Sequence, residues 1–190
     1  APFVPQTWSD LKDPRLKGMV SIDDVMRSAQ AKAGVLASAF AFGGDEKNIQ
    51  PAIDFWGEIM ALGNYRPVEV NIANVQKGEV TVGILWDFLA LDWRDQLNMP
   101  EIEVVIPQDE TVSVPYVAVI NKYAPHPYTA RAWIDYAFSD QGQIERAKGY
   151  ARPIRDIELP PDVAAKFPPM EAYKSARNIT DLKAWEQTAE

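Results

Sequence analysis

The sequence predicts an α/β fold, with a mainly parallel sheet flanked by helices and a helical segment after it. Two observations carry that prediction. Apolar, β-branched runs alternate with segments of helical spacing from residue 19 to about residue 120, the pattern of helices packed on a parallel sheet. After residue 121 the chain becomes helix-rich and adds little sheet. With 47% hydrophobic and 24% charged residues, the composition is ordinary for a globular protein. The 190 residues suffice for one domain with an appendage or for two unequal lobes.

The elements follow in order. Pro2, Pro5 and Pro14, with Asp10 and Asp13, make the first 18 residues a turn-rich lead-in that Gly18 ends. MVSI at 19–22 reads as a short strand. Asp23 and Asp24 come next as N-cap candidates for an amphipathic helix from about 24 to 41, marked by Val25, Ala29, Ala33, Leu36 and Phe40. FGGDEKN at 42–48 is a loop. Pro51 opens a second helix, which Gly63-Asn64 stops. Strands are expected at 68–72, 80–86, 102–107 and 112–120, with a helical turn at 73–77 and a helix at 88–97. Pro115 confines the last of these strands to an edge or a crossover. Helices at 127–138 and 140–149 are entered through Pro127 and Ser139, and a proline-rich stretch leads to a final helix from about 180.

Net charge is −8 and the pI is near 4.7, which works against binding nucleic acid through a basic surface. With no cysteine, disulfides, thiolate metal sites and cysteine nucleophiles are excluded. No apolar run approaches the roughly 18–20 residues needed to cross a bilayer. His126, the single histidine, lies between two prolines at a helix entry. It reads as a turn residue and lacks the partners of a zinc site or a Ser-His-Asp triad. Gly43-Gly44-Asp45-Glu46 lacks the lysine and hydroxyl of a phosphate-cradling loop. No cofactor is implied.

Asp23 and Asp24 could cap a helix or ligate a hard cation, although no calcium loop surrounds them. GEVTVGILWDFLALDW at 78–93 is the sharper case. Its apolar run ends on Trp86 and Asp87, and ligands of open α/β sheets bind beyond the carboxyl ends of strands. Packing and capping on one hand, and a ligand site on the other, stand as equal readings of that pair.

Four blocks in fixed order resemble bacterial extracellular solute-binding proteins: PQTWSDLKDPRLKGMVSIDD, GEVTVGILW, AVINKYAPHPYTARAWIDYAFSDQGQ and GYARPIR. The pattern is similar to the polyamine-binding branch, related to ferric-ion, thiamine and phosphonate binders. The resemblance implies a class II periplasmic-binding-protein-like lobe over 1–120. Residues 121–190 would form a helical segment that packs on a first lobe absent from this chain. It implies a binding protein rather than an enzyme, located in the periplasm, or tethered outside a Gram-positive cell. Its partners would be a small solute and the membrane permease of an ABC importer, with self-association of the fragment also expected.

The same resemblance places Asp24 at an amine-pairing aspartate and Trp86 at an aromatic lying along the ligand. Arg27 stands where the family has another acid, and Val114 and Tyr116 stand where it has a tryptophan and an aspartate. Exchanging acids for a guanidinium favours a zwitterion or anion over a polyamine. Arg27 could also pair with Asp23 or Asp24 along the helix surface. The stretch WDFLALDW lacks the adjacent tyrosines of the iron binders. The candidate ligand-facing residues are thus Asp24, Arg27, Trp86, Asp87 and Tyr116, with Tyr150 and Arg152 behind them. The alternatives are an Asp-pair hydrolase or glycan-active enzyme, and an interaction domain that lacks a solute site.

Overall fold

The computed structural model describes residues 1–189. In chain order the elements are β1 (Val20–Ser21), α1 (Ala29–Ala41), α2 (Gln50–Ala61), α3 (Ile72–Gln76), β2 (Val82–Gly83), α4 (Asp87–Gln96), β3 (Thr111–Ser113), α5 (Pro127–Ala137), α6 (Asp140–Lys148), α7 (Pro161–Ala164), β4 (Ala176–Asn178) and α8 (Leu182–Thr188). Two compact units divide them. The first holds Ala1–Val114 and the chain from Met170 onward, and the second holds Pro115–Pro169.

The first unit is the α/β part. β1 pairs in parallel with β2 and makes a parallel bridge from Val20 to Tyr65, while β3 pairs in parallel with β4. Helix α1 packs on α2 and on β3. Its close approach to the sheet depends on Gly34, where a Cβ would lie 2.7 Å from Ile84 Cγ2. The core gathers Trp8, Leu11, Leu16, Val20, Ile22, Phe55, Trp56 and Ile59. Trp8, Phe55 and Trp56 meet edge to face at 5.2–6.3 Å between ring centroids, the arrangement that the ring quadrupoles favour. Each buried indole N–H has an acceptor: Trp8 donates to the Glu110 carbonyl at 2.8 Å and Trp56 to Ser38 Oγ at 3.2 Å. Gly63, with φ of 73°, turns the chain at the end of α2. Asn64 is then fully buried and donates to the carbonyls of Leu11 and Asp13.

The chain that returns after the second unit is tied into the first at several points. β4 extends β3, the Arg177 guanidinium lies over the Phe40 ring, and the buried Glu46 accepts from Thr180 N at 2.7 Å and Thr180 Oγ1 at 3.1 Å. Those donors, the Thr180 backbone N–H first, hold the Glu46 carboxyl below its ordinary value. Asp181 caps α8 by accepting from Ala184 N and pairs with Lys47 at 3.1 Å. Its carboxyl is likewise lowered, by the Ala184 N–H and then by Lys47.

No strand occurs among the elements of the second unit. Ser139 caps α6 by accepting from Gly142 N, and Gly142 lies so near α5 that a Cβ would meet the Tyr136 carbonyl oxygen at 2.0 Å. The buried Gln143 donates to the Ala137 carbonyl at 2.7 Å and accepts from Ile154 N at 2.9 Å. Tyr150 is buried with φ of 66°, its ring edge-on to Phe167 and beneath the Lys166 ammonium.

Several expectations need correction. The first helix begins at Ala29 rather than 24, and Ser28 is its N-cap in place of Asp23 or Asp24. Residues 68–71 join no ladder, and Asn71 caps α3 instead. The strand expected at 80–86 pairs only over Val82–Gly83, since β1 offers it a partner of just two residues. Residues 102–107 form no ladder, and the strand expected at 112–120 is Thr111–Ser113. Pro115 lacks the N–H that would extend it, and the chain there enters the second unit.

Candidate functional site

Register sets the site. Val20 lies opposite Val82 and Ser21 opposite Gly83 in a parallel pair, so both chains leave the sheet at the same end. Residues 23–28 follow one strand and Trp86-Asp87 follow the other. That end is where open α/β sheets receive ligands.

After β1 the chain makes a closed turn. The Asp24 carbonyl accepts from Arg27 N at 3.0 Å and Ser28 N at 2.9 Å, and Asp24 Oδ1 accepts from Met26 N at 2.9 Å. Asp24 and Arg27 are both exposed. Among the described residues Arg27 makes no ion pair with Asp23 or Asp24, so the alternative of a helix-surface pair is not realised. The Asp23 carboxylate instead accepts from Val70 N at 2.7 Å, Gln30 Nε2 at 2.6 Å and Ser28 Oγ at 3.3 Å.

After β2, Trp86 occupies the N-cap position of α4 and its side chain makes no capping bond. An indole is a donor only, so it cannot accept from the first-turn N–H groups. Asp87 is the first residue of α4 and not its cap, a place where a carboxylate favours the helix dipole. Its Oδ2 accepts from Tyr173 OH at 2.5 Å. Tyr173 comes from the returning chain, 86 residues away in sequence, and sequence reasoning misses it because no local pattern marks such a partner. Asp23 reads from sequence as a cap, a cation ligand or a partner of Arg27. A polar residue just beyond a strand, with a helix N-terminus close behind it, is the signal that points to its holding role.

Four of the five candidates, Asp24, Arg27, Trp86 and Asp87, therefore follow the carboxyl ends of two paired strands in the first unit. Tyr116 is exposed in the second unit. Tyr150 and Arg152 also belong to the second unit, where the Arg152 guanidinium lies 4.8 Å from the Phe167 ring centroid and donates to the Pro168 carbonyl. Among the described residues, no group of three or more His, Cys, Asp or Glu could hold a metal ion. An open hollow lined by Arg94, Asp95, Asn98 and Pro100 lies at the other end of α4 from Asp87, and its small polar lining offers no reactive constellation.

Short parallel strand pairs flanked by helices define the fold class as mixed α/β, and solved structures that share it include periplasmic binding proteins. A solved structure described as an ABC transporter from Clostridium perfringens ATCC 13124 superposes with a TM-score of 0.68 at 20% identity, over 99% of this chain and 61% of that one. The periplasmic binding protein AfuA from Actinobacillus pleuropneumoniae, with exogenous fructose-6-phosphate bound, gives a TM-score of 0.63 at 25% identity, over 98% and 56%. The chain belongs to the bacterial extracellular solute-binding protein family, whose model matches residues 1–181. Sulfate-binding protein of Escherichia coli (strain K12) is 29% identical over 178 residues, 87% of this chain and 52% of that protein. An uncharacterized Haemophilus influenzae protein is 31% identical over 153 residues, 74% of this chain and 39% of its own length. The chain thus spans about half the length of the curated relatives it matches.

Proposed function

We propose that the chain is the second lobe, with the C-terminal segment, of the solute-binding component of an ABC-type importer. It binds a small anionic or zwitterionic solute beyond the carboxyl ends of β1 and β2. A first lobe closes over the solute about a hinge, and the loaded protein delivers it to a membrane permease from the periplasm, or from a tether outside a Gram-positive cell. Closure is a population shift driven by ligand contacts to both lobes, with no bond made or broken.

The observation that carries the charge preference is Arg27. It is exposed at the strand ends with no carboxylate partner among the described residues, whereas Asp23, Asp24 and Asp87 each accept hydrogen bonds from within the chain. A guanidinium presents a planar fork of donors suited to carboxylate, sulfate or phosphate. The names of two relatives, one sulfate-binding and one with fructose-6-phosphate bound, support the same charge type. An Asp-pair hydrolase has less support, since these acids are engaged by chain donors.

The exposed face of the second unit supports a partner lobe. Val117, Val119, Tyr123 and Tyr128 are 80–84% exposed, and groups of exposed large apolar residues mark interaction surfaces. A first lobe packed on this face would cover it.

Thermal-shift measurement on the two-lobed protein tests the reading with sulfate, phosphate, fructose 6-phosphate and amino acids against putrescine and spermidine. An anion or zwitterion at 100 times its Kd should stabilise by about 2.7 kcal/mol, and Arg27→Ala should remove the effect. Stabilisation by polyamines alone, unchanged in Arg27→Ala, would overturn it.

A further inference from the structure

The turn that presents Arg27 is held at one point. Asp23, the second residue after β1, uses both carboxylate oxygens: Oδ1 takes the Val70 N–H at 2.7 Å, and Oδ2 takes Gln30 Nε2 at 2.6 Å and Ser28 Oγ at 3.3 Å. Those donors come from three places, the chain ahead of α3, the first turn of α1 and the α1 cap. Ser28 Oγ also accepts from Ala31 N at 3.3 Å, so one hydroxyl links the Asp23 carboxylate to the start of the helix. Between Asp23 and Ser28, the Asp24 carbonyl accepts from both Arg27 N and Ser28 N. The backbone position of Arg27 is therefore fixed by a ring of bonds that closes on Asp23.

We propose that Asp23 is the positioning residue of the solute site: it does not face the ligand, but sets the turn from which Arg27 reaches it. The proposal rests on the functional reading above for the role of Arg27, and on geometry alone for the role of Asp23. A carboxylate is required because three donors converge on it. An amide at the same place offers one oxygen and turns its NH2 toward either Val70 N or Gln30 Nε2, setting donor against donor. Preorganisation of this kind lowers the ordering cost of binding, since the arginine need not search for its place when the solute arrives.

The experiment has two arms. In the first, amide hydrogen exchange is followed on the 190-residue chain without ligand. Asp23→Asn should speed exchange at Val70 and across residues 24–31 by about tenfold or more, whereas Asp24→Asn should leave Val70 unchanged. Pairing Asp23→Asn with Gln30→Glu restores an acceptor for the new NH2 and should recover protection at residues 24–31. If Asp23→Asn fails to fold, Gln30→Ala removes a single donor to Asp23 and should give a smaller change over the same residues. Unaltered protection in these variants would overturn the positioning role.

In the second arm, affinities for sulfate and fructose 6-phosphate are measured on the two-lobed protein by calorimetry. Asp23→Asn should weaken binding about tenfold, and adding it to Arg27→Ala should cost little more than Arg27→Ala alone, because both act through one contact. Strictly additive losses would make Asp23 a general stability residue and refute the proposal. Should neither anion bind the wild-type protein, the functional reading fails, and the exchange arm still decides whether Asp23 sets the turn.

Discussion

The two units use large apolar residues in opposite ways. In the first, Trp8, Phe55 and Trp56 are buried against one another, and Leu11, Leu16 and Ile59 belong to the same cluster. In the second, Tyr123, Tyr128 and Trp133 face outward, and the interior holds Ala137, Gln143, Ala147, Tyr150 and Val163. Burial of aromatic and aliphatic surface stabilises the first unit. The second depends more on close backbone approach at Gly142 and on the polar ties of Gln143. The first unit thus has an aromatic interior of its own, whereas the second buries Tyr150 and leaves Tyr116, Tyr123, Tyr128 and Trp133 exposed.

The contrast breaks most easily at Phe55. Phe55→Ala should lower stability by about 3–5 kcal/mol, read from chemical denaturation. A loss below about 1 kcal/mol would show that the aromatic cluster is not the anchor of its unit.

The next largest effect is expected at Gly142. Its Cβ would overlap the Tyr136 carbonyl, so Gly142→Ala should cost about 1–3 kcal/mol. The loss of amide protection should concentrate in α5 and α6. A Cβ added at Gly57 in α2 would meet nothing within 4 Å, and Gly57→Ala should instead stabilise by about 0.5–1 kcal/mol. Equal responses at the two glycines would remove the distinction between them.

Acid should act on the returning chain of the first unit. The folded-state carboxyl of Glu46 lies below its ordinary value of 4.5, chiefly through the Thr180 N–H. Its contribution is therefore fully present above pH 4.5 and lost as pH falls through the lower folded value. Asp181 shifts in the same direction. Glu46→Ala should cost about 1–2 kcal/mol at neutral pH, and it should flatten the fall of the urea midpoint with acid below pH 4.5. A mutant with an undiminished acid slope would dismiss Glu46 as the source.

The smallest effect is expected at Trp133, which is 65% exposed. Trp133→Ser should change the stability of the isolated chain by no more than about 0.5 kcal/mol. A larger loss that grows with protein concentration would reveal that a second copy covers this face.

Helices are more legible than strands because their signals are local. Pro51 and Gly63 bracket α2, Ser139 caps α6, and the helix predicted to begin at Pro127 does so. The β-branched runs at 68–72 and 102–107 carry the composition of strands and pair with nothing in a ladder. A strand needs a neighbour that composition does not name. The candidate site divides in the same way. That residues 23–27 and 86–87 follow strands is readable in the sequence, but the short pairing of β1 with β2 that brings them to one end is not. Asp87 has the composition of a cap, yet Trp86 takes that position and Tyr173 takes the Asp87 carboxylate.

By itself the sequence determined the α/β class, the family through its ordered blocks, the helices with local caps, and an arginine where an acid would suit a polyamine. Tertiary structure alone decided that Asp23 holds a turn, that Asp87 binds Tyr173, and that the chain from Met170 rejoins the first unit. The reason is distance along the chain. A helix cap is satisfied within about four residues, whereas Val70, which donates to Asp23, and Tyr173, which donates to Asp87, lie 47 and 86 residues away and become neighbours only when the chain folds.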